Sequence, residues 1–365
     1  MDGTEPSGER EVVDFVAQIT DSARLRIEEN LPHGFVRLKV AEAERRQAQH
    51  DIRSVEDIIT ELVRNSRDAG ARHVLVAFQK EQGRFRKITV LDDGCGIPSD
   101  MHGLIFEPRV TSKSEDFEED RYGVHGRGMA LFSIRSRAMQ AQIVISEPGR
   151  GTVISVAVDT KKVPERSDQA TLPVLMTTDE EELVGSGPHN VARVLVEMSV
   201  DHRSMDCYIG SFADILATAR ALAISGEAPG GPWDSLSAIE DARELADLSN
   251  SRLGLPISER NAYRVLNDEI VPLDTVYAHA RHAQLAGDAP TRRRKSPGQA
   301  ERLRSRPLRR ISREDLAEIG RECAEIVDKV AGRYYLHPAG EPKVRRGRGK
   351  LIISLFITGE EGEDE

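Results

Sequence analysis

Cysteine is scarce and scattered: Cys95, Cys207 and Cys323 are the only three in the chain, and no two form a Cys-x-x-Cys pair. That excludes a disulfide framework and a cysteine-built zinc site, and it suits a reducing compartment. Long apolar runs are missing too, none approaching the roughly 20 residues of a membrane helix. Met1 to Arg10 is polar and acidic, without the charged-then-apolar pattern of a leader. The expected location is therefore the cytoplasm, with no membrane partner. A net charge of -10 gives no global nucleic-acid footprint. One local exception is the dense basic run from Arg292 to Lys295 and from Arg302 to Arg310, which reads either as a solvated linker or as a contact to phosphates. The single tryptophan, Trp233, lies in a Gly/Pro turn and reads as structural.

What is present suffices for two cores: 365 residues, 39% hydrophobic and 31% charged. Residues 1–9 read as a loose tail, and Glu11 to Gln49 as helices broken near Leu31-Pro32-His33-Gly34. A strong helix is predicted from Ser54 to Ala69, stopped by Gly70. Strands are predicted at His73 to Phe78 and Lys87 to Leu91, then a mobile, charged loop from Ser99 to Val124. A helix from Gly126 to Met139 and a hairpin of Ala141 to Ser146 with Thr152 to Val158 follow. Val163 to Asp179 reads as linker. Beyond it are strand candidates at Val191 to Met198 and Asp206 to Gly210, a helix from Phe212 to Ala223, and mainly helical sequence from 236 to 286. A helix from Arg313 to Val330 and a strand from Lys350 to Ile357 precede an acidic tail.

Three local patterns carry chemistry. In the helix Ser54 to Ala69, Val55, Ile58, Ile59, Leu62 and Val63 share one arc, while Glu61, Asn65 and Asp68 form a polar stripe at its margin. A carboxylate and an amide at the edge of a core can hold a metal ion and a water. In Asp92-Asp93-Gly94-Cys95-Gly96-Ile97, a strand ends in an acidic residue and an x-Gly-x-Gly turn. Glycine there lets the backbone press on a flat ligand, and an inward Asp92 needs a donor such as an exocyclic amine. In Gly123-Val124-His125-Gly126-Arg127-Gly128-Met129, glycines run into a helix start, whose free amides can cradle phosphate. No strand precedes this run, so it does not read as a dinucleotide fingerprint.

The three occur together and in this order. The run from Glu61 to Ala71 resembles the N-box of the GHKL superfamily of ATPases, especially MutL and the topoisomerase VI B subunit. Asp92 to Ile97 is similar to its adenine motif, and Gly123-x-x-Gly126-x-Gly128 to its phosphate lid. Ile105-Phe106-Glu107-Pro108, Thr111-Ser112-Lys113 and Gly151-Thr152 add further matches. The resemblance implies ATP and Mg as cofactors, with Asn65 on the metal and Glu61 orienting and deprotonating the attacking water. Asp92, supported by Thr152, would bind the adenine amine beside Gly94, Gly96 and Ile97. Gly123, His125, Gly126, Arg127, Gly128 and Met129 would close on the phosphates, with Lys113 adding positive charge. Asp68 would tie the helix end to the adenine motif.

The implied fold is an α/β, two-layer Bergerat-type sandwich, helices on a mixed sheet, followed by a smaller, mainly helical α/β domain. The divisions are 1–29 tail and helix, 30–162 ATP-binding domain, 163–180 linker, 181–290 second domain, 291–311 basic linker and 312–365 C-terminal helix, strand and acidic tail. The implied function is slow Mg-ATP hydrolysis driving lid closure and a conformational or dimerisation switch; the alternative is an ATP-gated DNA-binding or regulatory module with little hydrolysis. A kinase of the histidine or anti-sigma type is the third reading. His50-Asp51 resembles a phosphoacceptor box, but only ten residues separate His50 from Glu61. Between Val163 and Pro290 there is no lysine, so a transducer lysine would come from Lys295, Lys329, Lys343 or Lys350. Residues 236–271 read as a helical hairpin or a helix-turn-helix with Arg260, Asn261 and Arg264 outward, and DNA would be a partner through 236–310.

Overall fold

A computed structural model describes residues 27–40, 42–112, 118–120, 123–125, 128–166, 168–178, 182–226, 229–286, 291–292, 312–334, 336–347 and 350–359. They fall into two compact units, divided between Arg292 and Arg293.

In the first unit, β1 (Ile27–Asn30) and β2 (Val36–Leu38) flank a tight turn, and α1 (Glu42–Asp51) follows. The next helix, α2 (Val55–Asp68), begins where Ser54 caps it: Ser54 Oγ accepts from the Asp57 amide while Asp57 accepts from the Ser54 amide. Its apolar arc, Val55, Ile58, Ile59, Leu62 and Val63, is fully buried. The hairpin of β3 (His73–Glu81) and β4 (Phe85–Asp92) follows, then β5 (Val110–Thr111), which pairs with β2. In the first part of the stretch read as a loop from Ser99 to Val124, Met101, Ile105 and Phe106 bury a small apolar cluster with Val110 of β5. A short hairpin, β6 (Glu118–Asp120) with β7 (Gly123–His125), precedes α3 (Ala130–Arg137). The helix starts later than predicted because Gly128 is left-handed, at φ 64°. Strands β8 (Gln140–Ser146) and β9 (Thr152–Asp159) form the expected hairpin.

After β9 come β10 (Thr171–Leu172), β11 (Val174–Thr177), β12 (Leu183–Ser186) and α4 (Val191–Asp201). The apolar run 191–198 is a helix and not the strand expected. Asn190 caps it, its Oδ1 accepting from the Arg193 amide at 3.0 Å, and Val191, Ala192, Leu195, Val196 and Met198 bury one helical face. Next are β13 (Asp206–Gly210) and α5 (Phe212–Ser225), α6 (Ala242–Arg252), α7 (Glu259–Leu266), α8 (Val276–Ala286) and β14 (Thr291–Arg292).

The central sheet is mixed, ordered β13-β3-β4-β9-β8, with β13 parallel to β3 and the rest antiparallel. Alternation sorts its side chains into two layers. Val74, Val76, Ile88, Val90, Ile154, Val156, Cys207 and Ile209 face a core shared with α2, α4 and α8. Leu75, Ala77, Leu91, Val153 and Tyr208 face a second core with α5, α6, α7 and Trp233. The sequence division between residues 30–162 and 181–290 thus runs through one sheet, because β13 completes its edge. The stretch read as linker lies along α2, where Val55 N–H donates to the Pro164 carbonyl and buried Glu56 accepts from the Arg166 amide and Gln169. The connection from α6 to α7 is six residues, Leu253 to Ser258, anchored by buried Leu253, Leu255 and Ile257. No described helix is long and apolar enough to cross a membrane.

The second unit consists of α9 (Arg313–Ala331), capped by Ser312, and the antiparallel hairpin of β15 (Leu336–Gly347) with β16 (Lys350–Gly359). The sequence anticipates α9 and β16; β15, interrupted by prolines, was not expected.

Candidate functional site

The site is built where α2, the end of β4 and the start of β9 meet. Register places Asp92 between Val74 of β3 and Thr152 of β9. It shares the strand face of Ile88 and Val90, so its carboxylate points toward α2. Ser66 Oγ donates to Asp92 Oδ2 at 2.8 Å, and the Gly94 amide to Oδ1 at 3.0 Å. Burial pushes the carboxyl up to about 6, against the opposing effect of the Ser66, Gly94 and Thr152 hydrogen bonds, and the neighbouring Asp93 charge pushes the same way as burial. Asp93 is displaced in the opposite sense. Burial raises it, but hydrogen bonds from the His73 ring and from the His73 and Arg72 amides, 2.7 to 2.8 Å, outweigh that and hold it below the ordinary carboxylate range. One carboxylate therefore faces the pocket while its neighbour fastens the turn to β3.

The turn is closed by backbone bonds. Cys95 N–H donates to the Ala69 carbonyl, Gly149 N–H to the Cys95 carbonyl and Gly151 N–H to the Gly94 carbonyl. The glycines are required by packing within the protein itself. At Gly96, φ 71°, an added Cβ would sit 1.9 Å from the Glu147 carbonyl oxygen, so the β8–β9 turn already fills that space. At Gly94 the same atom would meet Ala69 at 2.7 Å. Ile97 is held by its amide, which donates to Ser146 Oγ at 2.7 Å; that hydroxyl also lies 2.9 Å from Thr152 Oγ1. Ser66 and Ser146 are thus site residues that sequence patterns did not single out. Each is a lone serine, and only the register of strands and helix reveals its partner.

On the α2 stripe, Glu61 pairs with Arg64 at 2.8 Å, and Arg64 is buried. Asn65 Nδ2 is buried and makes no hydrogen bond. Asp68 pairs with Arg67, which also approaches His202 at the end of α4. Ser66, two residues before Asp68, also ties this helix to the strand end through its bond to Asp92. His50, at the end of α1, is exposed.

The lid region is described at its foot. The Gly128 carbonyl accepts from the Arg109 amide at 2.8 Å, and a Cβ on Gly128 would lie 2.8 Å from the Val110 carbonyl oxygen. Arg109 is buried and left-handed at φ 63°, an uncommon conformation for a side-chain-bearing residue. Met129 precedes α3, whose start has no side-chain cap. Gly123 and His125 of β7 pair with Asp120 and Glu118 of β6, while Lys113, Gly126 and Arg127 lie outside the described residues. Among the described residues no group of three or more His, Cys, Asp or Glu forms a metal cage.

Residues 50–162 match the family model of "Histidine kinase-, DNA gyrase B-, and HSP90-like ATPase". Similar curated proteins include the DNA mismatch repair protein MutL of Thermus aquaticus, 44% identical over 23% of this chain and 15% of the relative. Another is MutL of Azotobacter vinelandii, 33% identical over 36% of this chain and 20% of the relative. The match thus spans a fifth or less of those relatives' length. A solved structure described as the N terminal domain of a DNA repair protein aligns with 43% of this chain and 60% of its own, at 14% identity and a TM-score of 0.26.

Proposed function

We propose that this chain, whose residues 50–162 match a GHKL-type ATPase domain, binds Mg-ATP and hydrolyses it slowly to drive closure of the glycine-rich lid that begins at Gly123. The observation that carries the reading is the buried Asp92 carboxylate, fixed by Ser66, Gly94 and Thr152 at the end of β4. Such a group is costly to bury without donors, and an adenine amine supplies one more. Asn65 lies at the margin of the core; its Oδ1 is the atom that would hold magnesium, while its buried, unsatisfied Nδ2 is a donor suited to a phosphate oxygen or a water. When bound, magnesium would neutralise phosphate charge, and Asn65 would hold it. Glu61, one turn before Asn65 and partly exposed, would orient a water and accept its proton. Gly128, at the foot of the lid, and the uncapped start of α3 leave backbone amides for the phosphates.

The pairing of Glu61 with Arg64 at 2.8 Å favours a second reading, ATP held with little hydrolysis, because the ion pair occupies a carboxylate oxygen that an attacking water would need. Calorimetry and phosphate release separate the two. Under the first reading Glu61→Ala binds ATP and releases no phosphate, and Asp92→Ala binds none. Wild-type turnover by Glu61→Ala, or intact affinity in Asp92→Ala, would falsify it. The mismatch-repair role of the relatives is not carried over. DNA contact through 236–310 and nucleotide-driven dimerisation stand as proposals; Arg260 is exposed on α7, while Arg264 pairs with Glu269 at 3.5 Å. Retention on DNA that weakens with salt and with Arg260→Ala tests the former.

A further inference from the structure

Three hydroxyl groups surround the end of β4, and the direction of each hydrogen bond follows from counting protons. Ser146 Oγ lies at the centre. The Ile97 amide donates to it at 2.7 Å, Thr152 Oγ1 is 2.9 Å away and the Gly151 carbonyl oxygen 3.0 Å away. An amide N–H only donates, a carbonyl only accepts, and each hydroxyl has one proton. If Ser146 donated to Thr152, the Gly151 carbonyl would lose this donor inside a buried turn. If Ser146 donates to Gly151, Thr152 donates to Ser146 and all three contacts are hydrogen bonds. The second arrangement satisfies one more buried group, so it prevails. Water does not relieve either hydroxyl, since Ser146 and Thr152 are only 3% and 4% exposed. Ser66 spends its proton in the same way, on Asp92 Oδ2 at 2.8 Å.

We propose that Ser146 is a positioning residue for base specificity: by taking the Thr152 proton it leaves Thr152, like Asp92, with only lone pairs to offer, so the site selects a purine that carries an exocyclic amine. The inference rests on the Asp92 site being the base pocket. Register sets Thr152 directly across from Asp92 on the same face of the sheet. An amine brings hydrogens to these acceptors, whereas a base without one leaves buried acceptors unpaired. Without Ser146 the Thr152 hydroxyl is free to rotate, and it can present its proton to the ligand in place of a lone pair.

The test titrates the full chain, in magnesium, with ATP and with purine riboside triphosphate, which lacks only the 6-amino group. The parent should prefer ATP. Ser146→Ala should weaken ATP about tenfold, the scale of one hydrogen bond, and leave purine riboside triphosphate within about twofold. Ser146→Thr keeps the hydroxyl and should keep the preference. Thr152→Val should lose as much as Ser146→Ala, and the double variant no more than either, because one residue acts through the other. A merely structural role would weaken both nucleotides alike. That result, an unchanged preference in Ser146→Ala, or additive losses in the double variant overturns the inference. Should Ser146→Ala not fold, Ser146→Cys replaces the hydroxyl with a weak acceptor and is read in the same way. A parent that binds both nucleotides equally refutes the specificity alone, and one that binds neither refutes the Asp92 reading and this inference with it.

Discussion

At Asp92 a buried carboxylate costs stability. Its folded value of about 6 lies above the ordinary 3.8, so the folded state holds the proton more tightly. The stability it lends is present below about pH 4 and lost as pH rises through 6. Above that, the buried charge costs on the order of 3 kcal/mol. Asp92→Asn should therefore melt higher than the parent at pH 8, with the gain shrinking toward pH 4, while losing ATP affinity. Denaturant melts at several pH values would show it, and an equal gain at pH 4 and pH 8 would contradict the burial argument. Asn65→Ala should weaken ATP binding roughly tenfold to a hundredfold in magnesium, the loss of a contact to a charged group. In EDTA parent and variant should titrate alike in a calorimeter.

At the scale of elements, α2 and β13 set the site's rigidity. Ser54→Ala removes the cap of α2 and should cost about 1 kcal/mol in chemical denaturation. Gly96→Ala forces a Cβ onto the Glu147 carbonyl at a positive φ, so it should destabilise more and also loosen the Asp92 turn. The cysteines report on β13. Cys207 is fully buried in that strand, and burial pushes its thiol up to about 12, whereas Cys95 is exposed beside the Asp92 turn. Alkylation with mass spectrometry should label Cys95 in the native protein and Cys207 only after unfolding; native labelling of Cys207 would mean that β13 detaches readily from β3.

For the whole molecule, the consequential feature is that the sheet is completed by residues far beyond the family match. β13 lies alongside β3, and α4 and α5 cover opposite faces. A fragment ending at Lys162 would expose Val74 and Val76 on one face and Leu75 and Ala77 on the other. It should be insoluble or bind a hydrophobic dye strongly, while 27–292 should melt cooperatively. Limited proteolysis of the full chain should leave a resistant core that extends past Ala286, and a stable core ending near 162 would refute the single-unit description.

The chain's own letters determined a good deal. The capped helix with its polar stripe, the acidic strand end with its glycine turn and the glycine-rich run before a helix are local patterns, because caps, turns and periodicity depend on neighbours a few residues apart. Asp92 was singled out as inward-facing at the end of a strand before a glycine turn. What only the tertiary structure decided depends on distant partners. Ser66 and Ser146 become site residues through strand register, and Gly96 is required by the β8–β9 turn. Val191 to Met198 adopts a helix because its alternate-looking apolar residues have a helical core face to fill. The joining of β13 to β3 across more than a hundred residues could not be read locally, since an apolar strand carries no label for its neighbour. Which sheet edge it completes is settled by packing.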